Sequence, residues 1–223
     1  MKEPTHQANP GDWIYADGRV ILDTRSPGEF EKGHIPGATP LPIFEDDERA
    51  VIGTLYKQQG KPAYAAMVES VDDSVGKVTG VLQELGLEEN TLVIFTSDNG
   101  GFAGATSNAP LRANKGSNYE GGLRVPAIIK WPVSGKGGRI SSVPITSTDF
   151  YPTILSAIGQ PLRPHQHLDG VDLTPLLKGD GMVNRDSLFW HYPHYNNHPQ
   201  SFPAGVIRSG DWKLIQAFET GEL

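Results

Sequence analysis

From position 64 the apolar residues Tyr64, Met67, Val68, Val71, Val75, Val78, Leu82 and Leu85 recur at steps of three and four, and Gly86 ends the run. That spacing predicts one long amphipathic helix with a glycine stop. The segment TLVIFT (Thr91 to Thr96) is apolar at consecutive positions instead. Such a run predicts a strand covered on both faces, as in a parallel sheet flanked by helices. Val125 to Trp131 reads the same way, so the two strands are expected side by side and parallel. Ser147 or Thr148 should cap a helix carrying Phe150, Ile154, Leu155 and Ile158, with Pro152 tolerated in its first turn. Near the end, Gly205 to Arg208 and Trp212 to Phe218 flank Ser209-Gly210-Asp211, which predicts an antiparallel hairpin.

The first sixty residues have another rhythm. Arg19 to Asp23 is a short apolar run fit for a buried strand, and Leu41 to Ile43 predicts a second. Pro27 begins a turn, and Gly33 to Ala38 forms another. Asp46 or Asp47 should cap a helix running through Arg49, Val51, Ile52 and Leu55 to Gln59, with Gly60 as its stop. This content is too small to bury a core alone.

Composition narrows the function classes. A formal charge of −7 argues against a surface built to hold a nucleic acid. The longest apolar stretches, such as Leu92 to Phe95, are far too short to cross a bilayer, so no membrane partner is expected. The first residues, MKEPTHQANPGDW, carry no apolar run of a secretory signal, which makes the chain as written cytoplasmic by expectation. The absence of cysteine removes disulfides, thiolate metal sites and every cysteine-nucleophile mechanism. With 26 glycines and 18 prolines, a loop-rich α/β or α+β chain is expected rather than a helical bundle.

Ser97-Asp98-Asn99-Gly100-Gly101 lies at the carboxyl end of the TLVIFT strand, where ligands bind in open α/β sheets. Asp98 offers charged oxygens and Asn99 a neutral carbonyl oxygen, a pairing suited to a hard cation such as Ca²⁺. An Asx-turn closing the loop explains the same residues. Lys115, between glycines and just ahead of the second strand, is either a point charge for an oxyanion or a solvated surface lysine. Asp72 and Asp73 lie mid-helix and read as a solvated face. The Ser74/Lys77 pair is too common a spacing to carry meaning, and Gly135-Lys136-Gly137 lacks the flanks of a phosphate loop. His165 and His167, with His191, His194 and His198, form H-x-H and H-x-x-H spacings that could ligate zinc or nickel, or simply be polar surface.

Taken together, YAAMVESVDDSVGKV, VIFTSDNGG, LRANKGSNYEGGLRVPAIIKWP and TSTDFYPTIL, in that order, resemble the C-terminal part of the sulfatases, whose fold is related to alkaline phosphatase. LFWHYPHYNN and GVIRSGDWKLIQAFETGEL resemble the small C-terminal antiparallel subdomain of the same family. The resemblance implies calcium-binding roles for Asp98 and Asn99 and a sulfate contact for Lys115 in the K-G-x-x-x-E-G-G segment. Glu120, Gly121, Gly122, Arg124 and Pro126 match the rest of that segment as scaffold. It also offers His191 and His194 as lining of a substrate entrance. The family's formylglycine motif, C/S-x-P/A-x-R, and its early Asp-Asp metal ligands do not occur in these 223 residues. Earlier in the chain, VILDTRSPGEFEKGHIPGATPLP resembles the opening of a rhodanese domain, and DDERAVIGTLYKQQGK resembles the next segment of the tRNA 2-selenouridine synthases. Asp23, Arg25, Glu29, His34, Pro36 and Gly37 carry that likeness.

The expected architecture is therefore a partial alkaline-phosphatase-like α/β fold. It comprises a rhodanese-like fragment over 1–62, a sulfatase core portion over 63–184 and a C-terminal subdomain portion over 185–223. The expected function is a sulfatase-family protein that keeps part of the calcium and sulfate site and is inactive alone for want of its nucleophile. The alternatives are a non-catalytic module for sulfated or anionic ligands, and rhodanese-type sulfur transfer, which the missing cysteine opposes. The expected partners are a sulfated small molecule or glycan, and a second copy through the incomplete core. Sulfatases of this type are often periplasmic or secreted.

Overall fold

The computed structural model describes residues 22–23, 26–34, 39–40, 46, 61–135, 137–179 and 181–223, in two compact units, Met1–Glu84 and Leu85–Leu223. In the first unit, β1 (Leu22–Asp23) pairs in parallel with β2 (Thr39–Pro40). Between them lies α1 (Pro27–Lys32). Pro27 thus opens a helix rather than a turn alone. Its ring fixes φ at the first helical position, and the Ser26 N–H donates to the Glu29 carboxylate at 3.3 Å. The strand expected at Leu41 to Ile43 and the helix expected through Arg49 to Gln59 lie outside the described residues.

Helix α2 (Lys61–Glu84) realises the long apolar periodicity, and Gly86 comes after it with a φ of 66°. The buried line runs through Ala63 and Ser74 to Leu82, with Met67, Ser70 and Val78 half-buried. It is rotated from the expected face, since Val68 and Val71 are exposed. Ser74 tolerates burial because its hydroxyl donates back to the Ser70 carbonyl at 2.7 Å. Asp72 and Asp73 are exposed, as a solvated face requires.

In the second unit, β3 (Val93–Thr96) and β4 (Ala127–Lys130) are neighbours, but they pair antiparallel, with Val93 opposite Lys130 and Thr96 opposite Ala127. The expected parallel arrangement is corrected here. Apolarity on both faces reports the covering of a strand, not its direction. A parallel return would need a crossover that brings the chain back to the other end of β3. Residues 97–126 contain only a four-residue helix, α3 (Glu120–Leu123), and return the chain to where they left it.

Thr146, one residue ahead of the expected cap, precedes a 3₁₀ turn (Ser147–Asp149) that leads into α4 (Phe150–Ala157), and α5 (Thr174–Lys178) packs beside it. Asp149 is fully buried at this corner. Its carboxylate accepts from the Thr146 and Val171 N–H groups at 2.8 and 3.0 Å and from both Arg185 terminal nitrogens at 2.6 and 3.0 Å.

The chain ends in an antiparallel sheet of β5 (Ser187–Tyr192), β6 (Ala204–Ser209) and β7 (Trp212–Ala217), with β6 in the centre. Gly210 turns the β6–β7 hairpin at a φ of 54°. Alternation decides the faces. Trp190, Ala204, Val206 and Ile215 fall on the covered side, whereas Phe189, Trp212 and Leu214 are exposed. Among the described residues, no helix is long and apolar enough to cross a membrane.

Candidate functional site

The antiparallel pairing of β3 and β4 makes residues 97–126 a loop closed at its base. The Gly100 N–H donates to the Gly122 carbonyl at 2.9 Å. A Cβ on Gly100 would stand 1.7 Å from the Gly121 oxygen, so this approach is open only to glycine. One residue on, the Gly101 carbonyl accepts from the Lys115 N–H at 3.1 Å and from the Asn108 amide at 2.9 Å. The Gly121 N–H donates to the Arg112 carbonyl at 2.8 Å. Backbone contacts therefore stitch the Asp98-Asn99 turn to the turn that carries Lys115.

Asp98 is exposed and Asn99 half-buried at the carboxyl end of β3. The Ser97 hydroxyl donates to the Asn99 carbonyl at 2.9 Å and lies 3.4 Å from an Asp98 oxygen, a local turn that holds both side chains next to each other in the chain. Their oxygens suit a hard cation and supply part of the shell that calcium takes. Among the described residues no three histidine, aspartate or glutamate side chains gather as a metal set. His165, His167, His191, His194 and His198 are not gathered into such a set. His167 instead accepts from the Arg163 N–H at 3.2 Å, and His198 faces the Asn114 amide oxygen. Lys115 is exposed, and no carboxylate pairs with it among the described residues.

His191 lies on the exposed face of β5, its ring 5.3 Å from that of Phe218, and His194 meets Tyr192 edge-on at 5.6 Å. The contacts that join the C-terminal sheet to the Lys115 loop were not legible in the sequence, where Glu120 read only as scaffold. Glu120, in α3, accepts from Lys213 at 3.0 Å and lies 3.7 Å from Arg208, two cross-strand neighbours of β6 and β7. Burial of the Lys213 ammonium pushes its pKa below the usual lysine value, against the hydrogen bond it donates to Glu120, which raises it. The connection from β5 to β6 also reaches this loop: Asn196 donates to the Gly116 carbonyl at 2.8 Å, and Asn118 to the Phe202 carbonyl at 3.0 Å. Strand β5 was not expected from the sequence, although the period-two pattern of Leu188, Trp190 and Tyr192 could have found it.

Comparison with known proteins places these loops in a family. Residues 21–160 match the family described as Sulfatase, and residues 113–223 match N-sulphoglucosamine sulphohydrolase, C-terminal. A sulfatase of Formosa agariphila is 42% identical over 154 residues, which is 62% of this chain and 28% of that protein. The structure of Ps i-CgsB in complex with k-i-k-neocarrahexaose aligns with a TM-score of 0.62 at 28% identity, over 86% of this chain and 44% of that one. BT4656 in complex with its substrate D-glucosamine-2-N,6-O-disulfate aligns with a TM-score of 0.60 at 27% identity, over 86% of this chain and 36% of that one. The chain belongs to the sulfatase family, with the fold of a partial sulfatase α/β domain, and spans 28% of the length of the Formosa relative.

Proposed function

We propose that this chain carries the sulfate-recognition side of a sulfuric-ester hydrolase and does not turn over by itself. The observation behind this reading is the Gly101–Lys115 hydrogen bond, 3.1 Å long, which ties the oxygen-rich turn to the turn of a lysine that no carboxylate pairs with among the described residues. Lys115 is the residue that would meet a sulfate group, as a point charge on a glycine-flanked turn. Asp98 and Asn99 would hold Ca²⁺, which when bound stabilises charge on sulfate oxygens. His191 and His194, both exposed on β5 and its following loop, would border the entrance. The ligand class is a sulfated sugar or a small sulfate ester, in keeping with the disulfated glucosamine bound by BT4656.

Hydrolysis needs an in-line nucleophile, and covalent attack with positioning supplies a large part of such a rate. No C/S-x-P/A-x-R motif is present in these residues to become formylglycine. Charge stabilisation alone, in a turn open to water, is screened and cannot replace it. The rhodanese-like pattern over 20–42 adds no sulfur transfer, because no cysteine is present to carry a persulfide. A chromogenic aryl sulfate assay, with and without Ca²⁺ over a range of protein concentrations, tests the reading. Release at the background rate is expected throughout. Turnover rising with the square of protein concentration would show that a second copy completes the site, and turnover lost in Lys115→Ala would show that the chain is catalytic.

A further inference from the structure

The connection from β5 to β6 crosses the Lys115 turn and holds the residue on each side of that lysine. Asn196 donates from Nδ2 to the Gly116 carbonyl at 2.8 Å and to the Tyr192 hydroxyl at 2.9 Å. His198 meets the Asn114 Oδ1 through Nε2, while its Nδ1 accepts from the Gln200 N–H at 3.0 Å. An Nδ1 that accepts from a backbone N–H carries no proton, so the ring hydrogen is on Nε2 and is donated to Asn114. The His198 N–H in turn donates to the Asn196 Oδ1 at 2.8 Å, so the two side chains brace each other. The seam is close. A Cβ on Gly116, whose φ is 92°, would stand 2.9 Å from the His198 Cβ and 3.0 Å from the Asn196 Oδ1.

From its other side the same turn is held by the Lys115 N–H bond to the Gly101 carbonyl. Lys115 is exposed, and no carboxylate among the described residues fixes its ammonium. Where that charge can reach is thus set by the turn of 114–116, and the groups holding its Gly116 carbonyl and its Asn114 side chain come from a segment 80 or more residues away. From this geometry we infer that Asn196 and His198 are positioning residues of the anion site. They hold the turn of Lys115 in the conformation that receives sulfate, and they make the β5–β6 connection part of the site. The inference rests on the sulfate role proposed for Lys115.

Two measurements on the full chain test it. Hydrogen exchange at the Lys115 amide, without ligand, reads the turn itself. Titration with inorganic sulfate, monitored by amide shifts at residues 114–118, reads the consequence. Asn196→Asp keeps the shape of the side chain but turns an oxygen towards the Gly116 carbonyl, and His198→Ala removes the donor to Asn114. Each should speed exchange at Lys115 by about tenfold while leaving the β6 amides unchanged, and should weaken sulfate binding about three- to tenfold. His198→Gln, which returns an amide donor, should restore most of both. Asn114→Ala, which removes the His198 contact from the opposite side, gives the same test if either strap variant does not fold. Unchanged exchange at Lys115 in these variants, or a His198→Gln chain that behaves like His198→Ala, overturns the positioning role. Full sulfate affinity in Lys115→Ala overturns the sulfate role of the lysine instead. Loss in Lys115→Ala with wild-type affinity in the strap variants overturns positioning alone.

Discussion

Glu120 and Lys213 meet at 3.0 Å across 93 residues of chain, one at the start of the short helix after the Lys115 turn, the other on the last strand. The contact fastens the C-terminal sheet to the loop that carries the candidate site. It is largely shielded, with 13% of the lysine side chain and 28% of the glutamate exposed. Desolvation outweighs the ion pair and leaves Lys213 below its ordinary pKa of 10.5.

The sign of the pH effect comes from that direction. Between the lowered folded value and 10.5, the unfolded chain binds the Lys213 proton and the folded chain does not, so stability rises with pH through that window. Below the folded value the cost of the buried charge is fully present. In Lys213→Met the increment is absent. Urea unfolding of both chains at several pH values from neutral to 10.5 should show the wild type gaining on the variant as pH rises. A difference that stays flat, or moves towards the variant, contradicts the burial of this charge.

The Asp149–Arg185 pair governs stability more strongly. Asp149 is fully buried, and Arg185→Met would leave its carboxylate with two backbone N–H donors and no counter-charge. Breaking a buried pair from one side should cost about 3 kcal/mol, read as a lower urea midpoint. The double variant Asp149→Leu/Arg185→Met should recover part of that loss, because no buried charge is stranded in it. A single variant as stable as the wild type would mean that the pair is not formed.

Calcium should bind weakly. Two side-chain oxygen donors leave most of a shell of about six to eight ligands to water, so a dissociation constant of about a millimolar is expected, lost in Asp98→Ala. Calorimetric titration decides this. Binding in roughly the micromolar range would require further ligands that complete the site.

Much of the chain beyond position 60 could be read from periodicity. The long helix, both flat apolar strands and the Gly210 hairpin were visible because each has its own spacing of apolar positions and its own glycine punctuation. Strand direction was not visible. Val93 to Thr96 and Ala127 to Lys130 look alike whichever way they pair, and only the self-closing Gly100–Gly122 contact sets the sense of return. Asp98, Asn99 and Lys115 stood out through the motifs around them. Glu120 read only as scaffold and His198 only as a metal-ligand or surface histidine, and Asn196 did not stand out, because their contacts reach partners 80 or more residues away and no local pattern encodes them.

One measurement bears most directly on recognition without turnover: calorimetric titration of the chain with an aryl sulfate in the presence of Ca²⁺, for wild type and Lys115→Ala. The expected result is a weak saturable heat in the wild type, its loss in the variant, and a baseline that returns after each injection. A baseline that stays displaced would report continuing hydrolysis and contradict the absence of turnover. Identical isotherms for the two chains would contradict the assignment of the sulfate contact to Lys115.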